Sequence, residues 1–165
     1  MSASSRTRFR LRGPAALAGL LWLSAPAGAD QPAADLCLYR GYSDELVARY
    51  AMADTDRFAL SFLHSVSLTP VTDLYRIEGG AIRQTAEIFE AHGAGLPSFA
   101  GDVGQTGWRR EDGRFVIEMD RRFDRIQLRV SPDYRNRLAI ADRDIDLAAL
   151  PDSALGLAPC ASQGH

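Results

Sequence analysis

The sequence predicts an all-β protein: one domain of about eight short, mostly antiparallel strands with at most one short helix. Two observations favour this fold class. Apolar residues alternate with polar ones in short segments, and pairs of turn-forming residues separate those segments. A chain of this kind forms either a β-sandwich or a small barrel, and the pattern leaves both open.

The first two segments of the domain differ in how clearly they indicate a strand. "DLCLYR" (residues 35–40) alternates in the manner of a strand. "DELVARYAM" (residues 44–52) is the one segment that could be helical, because Leu46, Val47 and Tyr50 fit one helical face. It could equally be a strand that carries a bend.

The next three segments predict an antiparallel meander. "RFALSFLHSV" (residues 57–66) places Phe58, Leu60, Phe62, His64 and Val66 on one face of a strand. "VTDLYRI" and "AIRQTAEIFEA" follow, with the turn sequence "EGGA" between them.

The second half of the domain begins with a hairpin. Asp112-Gly113 joins "GWRRE" to "RFVIEMDRRF", and Asp-Gly is one of the strongest short-range hairpin signals. "DRIQLRV" and "RLAIADRDIDL" predict one strand each. The tail "PDSALGLAPCASQGH" is predicted to be a loop.

Residues 1–29 have the pattern of a secretory signal peptide. Four arginines precede an apolar run, and small residues at Ala27 and Ala29 form a cleavage site, which we place after Ala29. An uncleaved anchor is the alternative. The apolar run of roughly 12 residues falls short of the roughly 20 that a spanning helix needs. We therefore expect a single β domain over residues 30–165, with no stable membrane span after cleavage.

The charge of the mature chain disfavours some classes of partner. All 21 acidic residues lie after Ala29, together with 15 of the 19 basic residues, so the net charge becomes −6. A net negative charge argues against nucleic acid and anionic membrane surfaces as partners.

Cys37 and Cys160 lie near the two ends of the mature chain. In an exported protein, an even number of cysteines favours a disulfide between them. Metal binding by these two cysteines is the alternative, but no histidine lies at ligand spacing.

Three ionisable residues fall on otherwise apolar strand faces: His64, Asp73 and Arg121. Because a buried charge is costly unless it is paired, we expect these side chains to meet, with Tyr75 on the same face as Asp73. The cluster could be a structural network, a site where Arg121 holds a small organic acid, or a catalytic pair of His64 and Asp73. Neither Ser65 nor Ser98 lies in a nucleophile-elbow sequence, and no catalytic residue is assigned.

"AHGAGLPS" (residues 91–98) is predicted to be a tight loop that packs over the mouth of the fold. Its glycines permit unusual backbone conformations, but the dinucleotide-binding pattern lacks its third glycine and its helix. His64 and His92 could share a metal with Glu87 or Asp73, although no spacing requires it. We expect no metal and no cofactor.

Two of these segments carry a resemblance to a known family. "FALSFLHSVSLTPVTDLYRI" and "AEIFEAHGAGLPS" resemble the domain of unknown function 1850 family of small exported bacterial proteins, over roughly residues 36–147. The residues that match its motifs are His64, Ser65, Val66, Thr69, Pro70, Tyr75, Phe89, Gly93, Ala94, Gly95, Leu96 and Pro97, with Asp73 as the acid after the turn.

The resemblance implies a location and a role. Members are typically encoded beside TAXI-type TRAP transporters, which implies a non-enzymatic accessory protein of solute uptake in the periplasm. Its partner would be the transporter's solute-binding protein or permease, or a small carboxylate. The binding residues would be His64, Asp73, Tyr75, Arg121, Gly93, Gly95, Leu96 and Pro97. A hydrolase or metal-dependent enzyme that uses His64 and Asp73, and a structural stabiliser with no ligand, are the alternatives.

Overall fold

The computed structural model describes residues 34–52, 55–90 and 104–160. They form eleven strands: β1 (Leu36–Arg40), β2 (Leu46–Tyr50), β3 (Arg57–Leu63), β4 (Pro70–Glu78), β5 (Ala81–Phe89), β6 (Gln105–Glu111), β7 (Arg114–Phe123), β8 (Ile126–Arg129), β9 (Arg137–Ile140), β10 (Arg143–Asp146) and β11 (Ala154–Pro159). Two single-turn 3₁₀ helices lie at Pro132–Tyr134 and Leu147–Ala149. Within these ranges there is no α-helix, so the predicted all-β class is confirmed.

The strands form two antiparallel sheets. The smaller sheet has the order β2-β1-β11-β8, and the larger has the order β10-β9-β3-β4-β5-β7-β6. Neither sheet closes on itself, so of the two architectures that the sequence left open the structure has the sandwich. The predicted meander is present as β3-β4-β5, and the Asp112-Gly113 turn joins β6 to β7.

The structure decides one open alternative and corrects two details of the predicted strand pattern. Of the helix and the bent strand that residues 44–52 allowed, the strand is present as β2, with a β-bulge opposite Leu38 and Tyr39. "RLAIADRDIDL" is a hairpin, β9 and β10, because Ala141 adopts a positive φ of 51° and turns the chain. The tail predicted to be a loop contains β11, which lies between β1 and β8 in the smaller sheet.

The main hydrophobic core fills the space between the two sheets. Leu36 and Leu157 from the smaller sheet pack in one cluster with Phe58, Leu138 and Ile140 from the larger one. All five side chains are at most 4% exposed. Burial of this kind, at roughly 25 cal/mol per Å² of apolar surface, is the main stabilising contribution to the fold.

A second, smaller cluster lies on the same face of the larger sheet. Val71, Phe89, Ile117 and Met119 form it, with Phe62 and Phe115 packed against them. These residues come from β3, β4, β5 and β7 alone, so within the described residues the smaller sheet contributes nothing to this cluster. The inner face of the larger sheet therefore has two apolar regions.

A disulfide joins Cys37 to Cys160, as the sequence predicted. Cys37 lies on β1, and Cys160 directly follows β11, which is the neighbouring strand. The backbone N–H of Cys160 donates to the carbonyl oxygen of Asp35. The bond thus fastens the end of the described chain to its beginning.

Candidate functional site

Asp73 lies on the inner face of β4, between Val71 of the small cluster and Tyr75 of the main core. Its Oδ2 accepts a hydrogen bond from the Tyr75 hydroxyl at 3.2 Å, and its Oδ1 accepts one from Gln84 Nε2 at 3.0 Å. The placement of Asp73 and Tyr75 on one face agrees with the strand alternation in the sequence. The carboxylate thus lies where the two apolar regions meet.

A β-bulge in β5 completes this polar cluster. Tyr75 faces Gln84, Leu74 faces Ala86 and Asp73 faces Glu87, so Thr85 is an extra residue in the ladder. Residues three apart in a regular strand point to opposite faces, but the bulge turns both Gln84 and Glu87 inward. Both side chains are buried.

Sequence reasoning assigned Gln84 no role and considered Glu87 only as a metal ligand. A strict alternation puts Gln84 and Glu87 on opposite faces of the strand, so it could not bring both to Asp73. The sequence "QTAE" carries no glycine or proline that would have indicated the bulge.

Burial sets the protonation behaviour of the cluster. Loss of hydration raises the pKa of Asp73 to about 6, against the lowering effects of the Tyr75 and Gln84 hydrogen bonds and of the Arg121 charge. Burial also raises the pKa of the Tyr75 hydroxyl, and the negative charges of Asp73 and Glu87 raise it further. Tyr75 is therefore a neutral hydrogen-bond donor throughout the physiological range.

Arg121 lies beside this cluster and is exposed. It pairs with Gln84 across the β5–β7 ladder, and its guanidinium lies 5.3 Å from the centre of the Phe123 ring. Its charge lowers the pKa of Asp73, although within the described residues no direct ion pair joins the two. Arg121 therefore influences Asp73 through its charge and not through a hydrogen bond.

His64 belongs to a different feature, the loop that joins β3 to β4. Its Nδ1 accepts hydrogen bonds from the backbone N–H groups of Val66 and Ser67, at 3.3 and 3.1 Å, and lies 3.1 Å from the Ser67 hydroxyl. Because N–H groups only donate, Nδ1 carries no proton, and a neutral ring has its proton on Nε2. In the described part of the chain no hydrogen bond joins His64 to Asp73, for which either His64 or Arg121 was the expected partner.

The remaining predicted binding residues cannot be placed. Gly93, Gly95, Leu96 and Pro97 lie outside the described residues, as do His92 and Ser98.

In the part of the chain that the structure describes, no group of three or more His, Cys, Asp or Glu side chains could hold a metal ion. No helix in the described ranges is long and apolar enough to cross a membrane.

Fold and site define a small disulfide-linked β-sandwich with a buried acidic cluster on its larger sheet. The chain belongs to the family called Domain of unknown function (DUF1850), whose model matches residues 58–147. Apart from Arg57, the first residue of β3, that range contains the seven strands of the larger sheet, whereas β1, β2, β11 and both cysteines lie outside it. No curated protein and no solved structure matches the chain.

Proposed function

We propose that this protein is a non-enzymatic periplasmic accessory protein of a TRAP-type solute uptake system, and that it binds the transporter's solute-binding protein or its permease. The observation that carries the proposal is the loop between β3 and β4, residues 64–69, which we call the His64 loop. It contains His64, Ser65, Val66 and Thr69, which match the family's motif residues, and it exposes two aliphatic side chains: Val66 is 71% exposed and Leu68 is 66% exposed.

The hydrogen bonds of the His64 loop hold its backbone in one conformation. Besides the bonds to Nδ1, the N–H of His64 donates to the Thr69 carbonyl and the N–H of Leu68 donates to the His64 carbonyl. The hydroxyls of Ser67 and Thr69 lie 2.8 Å apart. A loop ordered before binding loses less conformational entropy in a complex, which favours affinity.

Leu68 adds a second indication of function. Its φ is +52°, a left-handed conformation that is unfavourable for a residue with a side chain, by about 1–2 kcal/mol. Glycine or asparagine would adopt it at lower cost. Leu68 has a strained backbone, and its exposed side chain belongs to neither hydrophobic cluster of the described residues. We therefore infer that a partner buries this side chain.

The Cys37–Cys160 disulfide supports the proposed location. Disulfides form and persist in oxidising compartments such as the periplasm and are rare in the cytosol. Together with the signal sequence that we propose is cleaved after Ala29, it supports export to the periplasm.

The positions of His64 and Asp73 give the hydrolase alternative no support. A catalytic pair needs the histidine to exchange a proton with a reacting group while the carboxylate orients it. Here the Nδ1 of His64 is occupied by its own loop, and both oxygens of Asp73 accept hydrogen bonds from Tyr75 and Gln84.

A capture experiment tests the proposal. The tagged wild type and a Val66→Ser/Leu68→Ser double variant are incubated with periplasmic and detergent-solubilised membrane fractions that contain the TRAP components. Tyr42→Ser is the matched control, since Tyr42 is 87% exposed but follows β1 in the smaller sheet. Circular dichroism and thermal unfolding first establish that all three proteins are folded.

We expect the wild type and Tyr42→Ser to capture the solute-binding protein or the permease. The double variant should capture it at least about tenfold less well, as expected for the loss of two central apolar contacts. Failure of the wild type to capture either component would refute the accessory role. Equal capture by the double variant would refute the role of the His64 loop.

A further inference from the structure

Four arginines face one another on the outer face of the larger sheet. Arg57 on β3 pairs with Arg76 on β4, Arg76 pairs with Arg83 on β5, and Arg83 pairs with Arg122 on β7. We call these four residues the arginine row. Neighbouring strands lie about 4.8 Å apart, so the row extends about 14 Å across the sheet. Like charges directly opposite each other destabilise a sheet. The arginine row is therefore unfavourable for folding, and the fold by itself gives no reason for it.

The acidic residues near the row neutralise it unevenly. Arg83 is well paired, with two hydrogen bonds of 2.7 and 2.8 Å to Asp120 and one of 2.6 Å to Glu78. Arg76 shares Glu78, through its Nη2 at 3.0 Å.

At the Arg57 and Arg76 end of the row, some guanidinium N–H groups are not matched by a nearby acceptor in the described part of the chain. Among the residues that the structure describes, the acidic neighbour of Arg57 is Asp56, at 3.6 Å, and the Arg57 side chain is 79% exposed. The Nε of Arg76 is buried and has no hydrogen-bond partner among the described residues. A buried N–H group without an acceptor is unfavourable, and an ordered water, an ion or a ligand atom is the acceptor that such a group requires.

A groove of about 450 Å³ opens at this end of the row. Arg57 and Arg76 line it together with apolar surface from Ala59, Leu74 and Ala139. Its volume lies within the roughly 300–1,000 Å³ that is usual for small-molecule sites. The groove is thus lined both by two arginines and by a short row of apolar residues.

We propose that this groove binds a small organic carboxylate with a short apolar chain. The carboxylate lies between Arg57 and Arg76, where it accepts charge-assisted hydrogen bonds and relieves the repulsion between the two guanidinium groups. The apolar chain of the ligand lies over Ala59, Leu74 and Ala139. This site is separate from the His64 loop, and its test does not depend on the proposed function.

The outer groove suits a carboxylate better than the polar cluster around Asp73, on the inner face of the larger sheet, does. The inner cluster already holds two carboxylates, Asp73 and Glu87, with Arg121 beside it as the cation that lowers the pKa of Asp73. A third carboxylate there would be repelled. An extended acidic peptide is a less suitable occupant, since it would follow the whole row, whereas the groove lies beside only the Arg57 and Arg76 end.

Nuclear magnetic resonance titration of the ¹⁵N-labelled protein with pentanoate tests the proposal, with the arginine Nε–H signals as the readout. Pentan-1-ol and pentan-1-amine have chains of similar size without the negative charge, and inorganic phosphate and a hexaglutamate peptide supply anions of other classes. Arg57→Gln and Arg76→Gln remove the two proposed donors. Arg122→Gln is the matched control, because it removes the same charge from the same row but does not line the groove.

We expect pentanoate to shift the Arg57 and Arg76 signals saturably in the millimolar range, and the alcohol and the amine to leave them unchanged. Arg57→Gln or Arg76→Gln should weaken binding about tenfold or more, while Arg122→Gln changes it less than about threefold. Absence of saturable shifts with pentanoate, or equal losses in all three variants, would overturn the proposal. Binding of phosphate or hexaglutamate without binding of pentanoate would also overturn it.

Discussion

Replacing Asp73 with asparagine should stabilise the protein at neutral pH. The pKa of Asp73 is raised from 3.8 to about 6, because the folded protein places its carboxyl where the charged form is poorly hydrated. The stability that a carboxyl group with a raised folded-state pKa contributes is complete only below its unfolded-state pKa. That contribution is lost as the pH rises through the folded-state value. Ionised Asp73 therefore opposes folding at pH 7.

The magnitude follows from the two pKa values. A difference of about 2.2 units corresponds to about 3 kcal/mol once the pH exceeds 6, at about 1.4 kcal/mol per unit. About 1 kcal/mol of this is already lost at pH 4.5, so about 2 kcal/mol should disappear between pH 4.5 and 7.5. Residual hydration of the partly buried group makes these values upper figures.

Asparagine keeps the shape of the side chain and both of its contacts. Its carbonyl oxygen can accept from Gln84 Nε2, and its amide can donate to the Tyr75 hydroxyl oxygen. The variant should consequently be more stable than the wild type by up to about 3 kcal/mol at pH 7.5, and by about 1 kcal/mol at pH 4.5.

Urea unfolding of both proteins at pH 4.5, 6 and 7.5, with the disulfide intact, measures the difference. The comparison at each pH cancels the titration of groups that the two proteins share, although coupling to Glu87 remains. Parallel pH profiles, or an asparagine variant that is less stable at pH 7.5, would refute the argument that the buried charge is unfavourable.

Three further perturbations test separate parts of the structure. Replacing both Cys37 and Cys160 with alanine should lower the free energy of unfolding by up to about 5 kcal/mol in urea titrations, because the bond closes a separation of 123 residues; a loss below about 1 kcal/mol would contradict this. Leu68→Gly should raise stability by up to about 1 kcal/mol by relieving the positive φ, yet weaken capture of the transporter component; lower stability would show that Leu68 packs in the fold. Gly104→Ala should cost about 1–3 kcal/mol in thermal unfolding, since φ is +83° and the new Cβ would clash with Arg121 Cγ; an unchanged melting temperature would contradict this contact.

Local patterns were sufficient to predict much of the larger sheet. The alternation in residues 57–66 and 71–77 identified β3 and β4, and Asp112-Gly113 identified the hairpin of β6 and β7. A side-chain period of two is a property of a strand by itself, so it can be read without knowing the neighbouring strands. The cysteine pair was predictable because two cysteines allow only one intramolecular bond.

Where pairing with distant strands decides the outcome, the local pattern was not sufficient. The segment containing β11 has glycine, alanine and proline typical of a loop, but it is ordered between β1 and β8 by ladder hydrogen bonds to both. The extension of the β3 strand to Val66 was also predicted wrongly, because the alternation of β3 gives no sign that the chain turns directly after Leu63 and that His64 lies in a loop.

The sequence by itself determined the all-β class, the strand faces of Asp73 and Tyr75, and the cysteine pairing, because each depends on residue types and spacing along one segment. The tertiary structure alone decided that the sheets form an open sandwich, that a bulge at Thr85 turns Gln84 and Glu87 toward Asp73, and that four arginines from four strands stand side by side. These features depend on the register between strands that are distant in sequence, and a shift of one residue in that register would move every side chain to the opposite face.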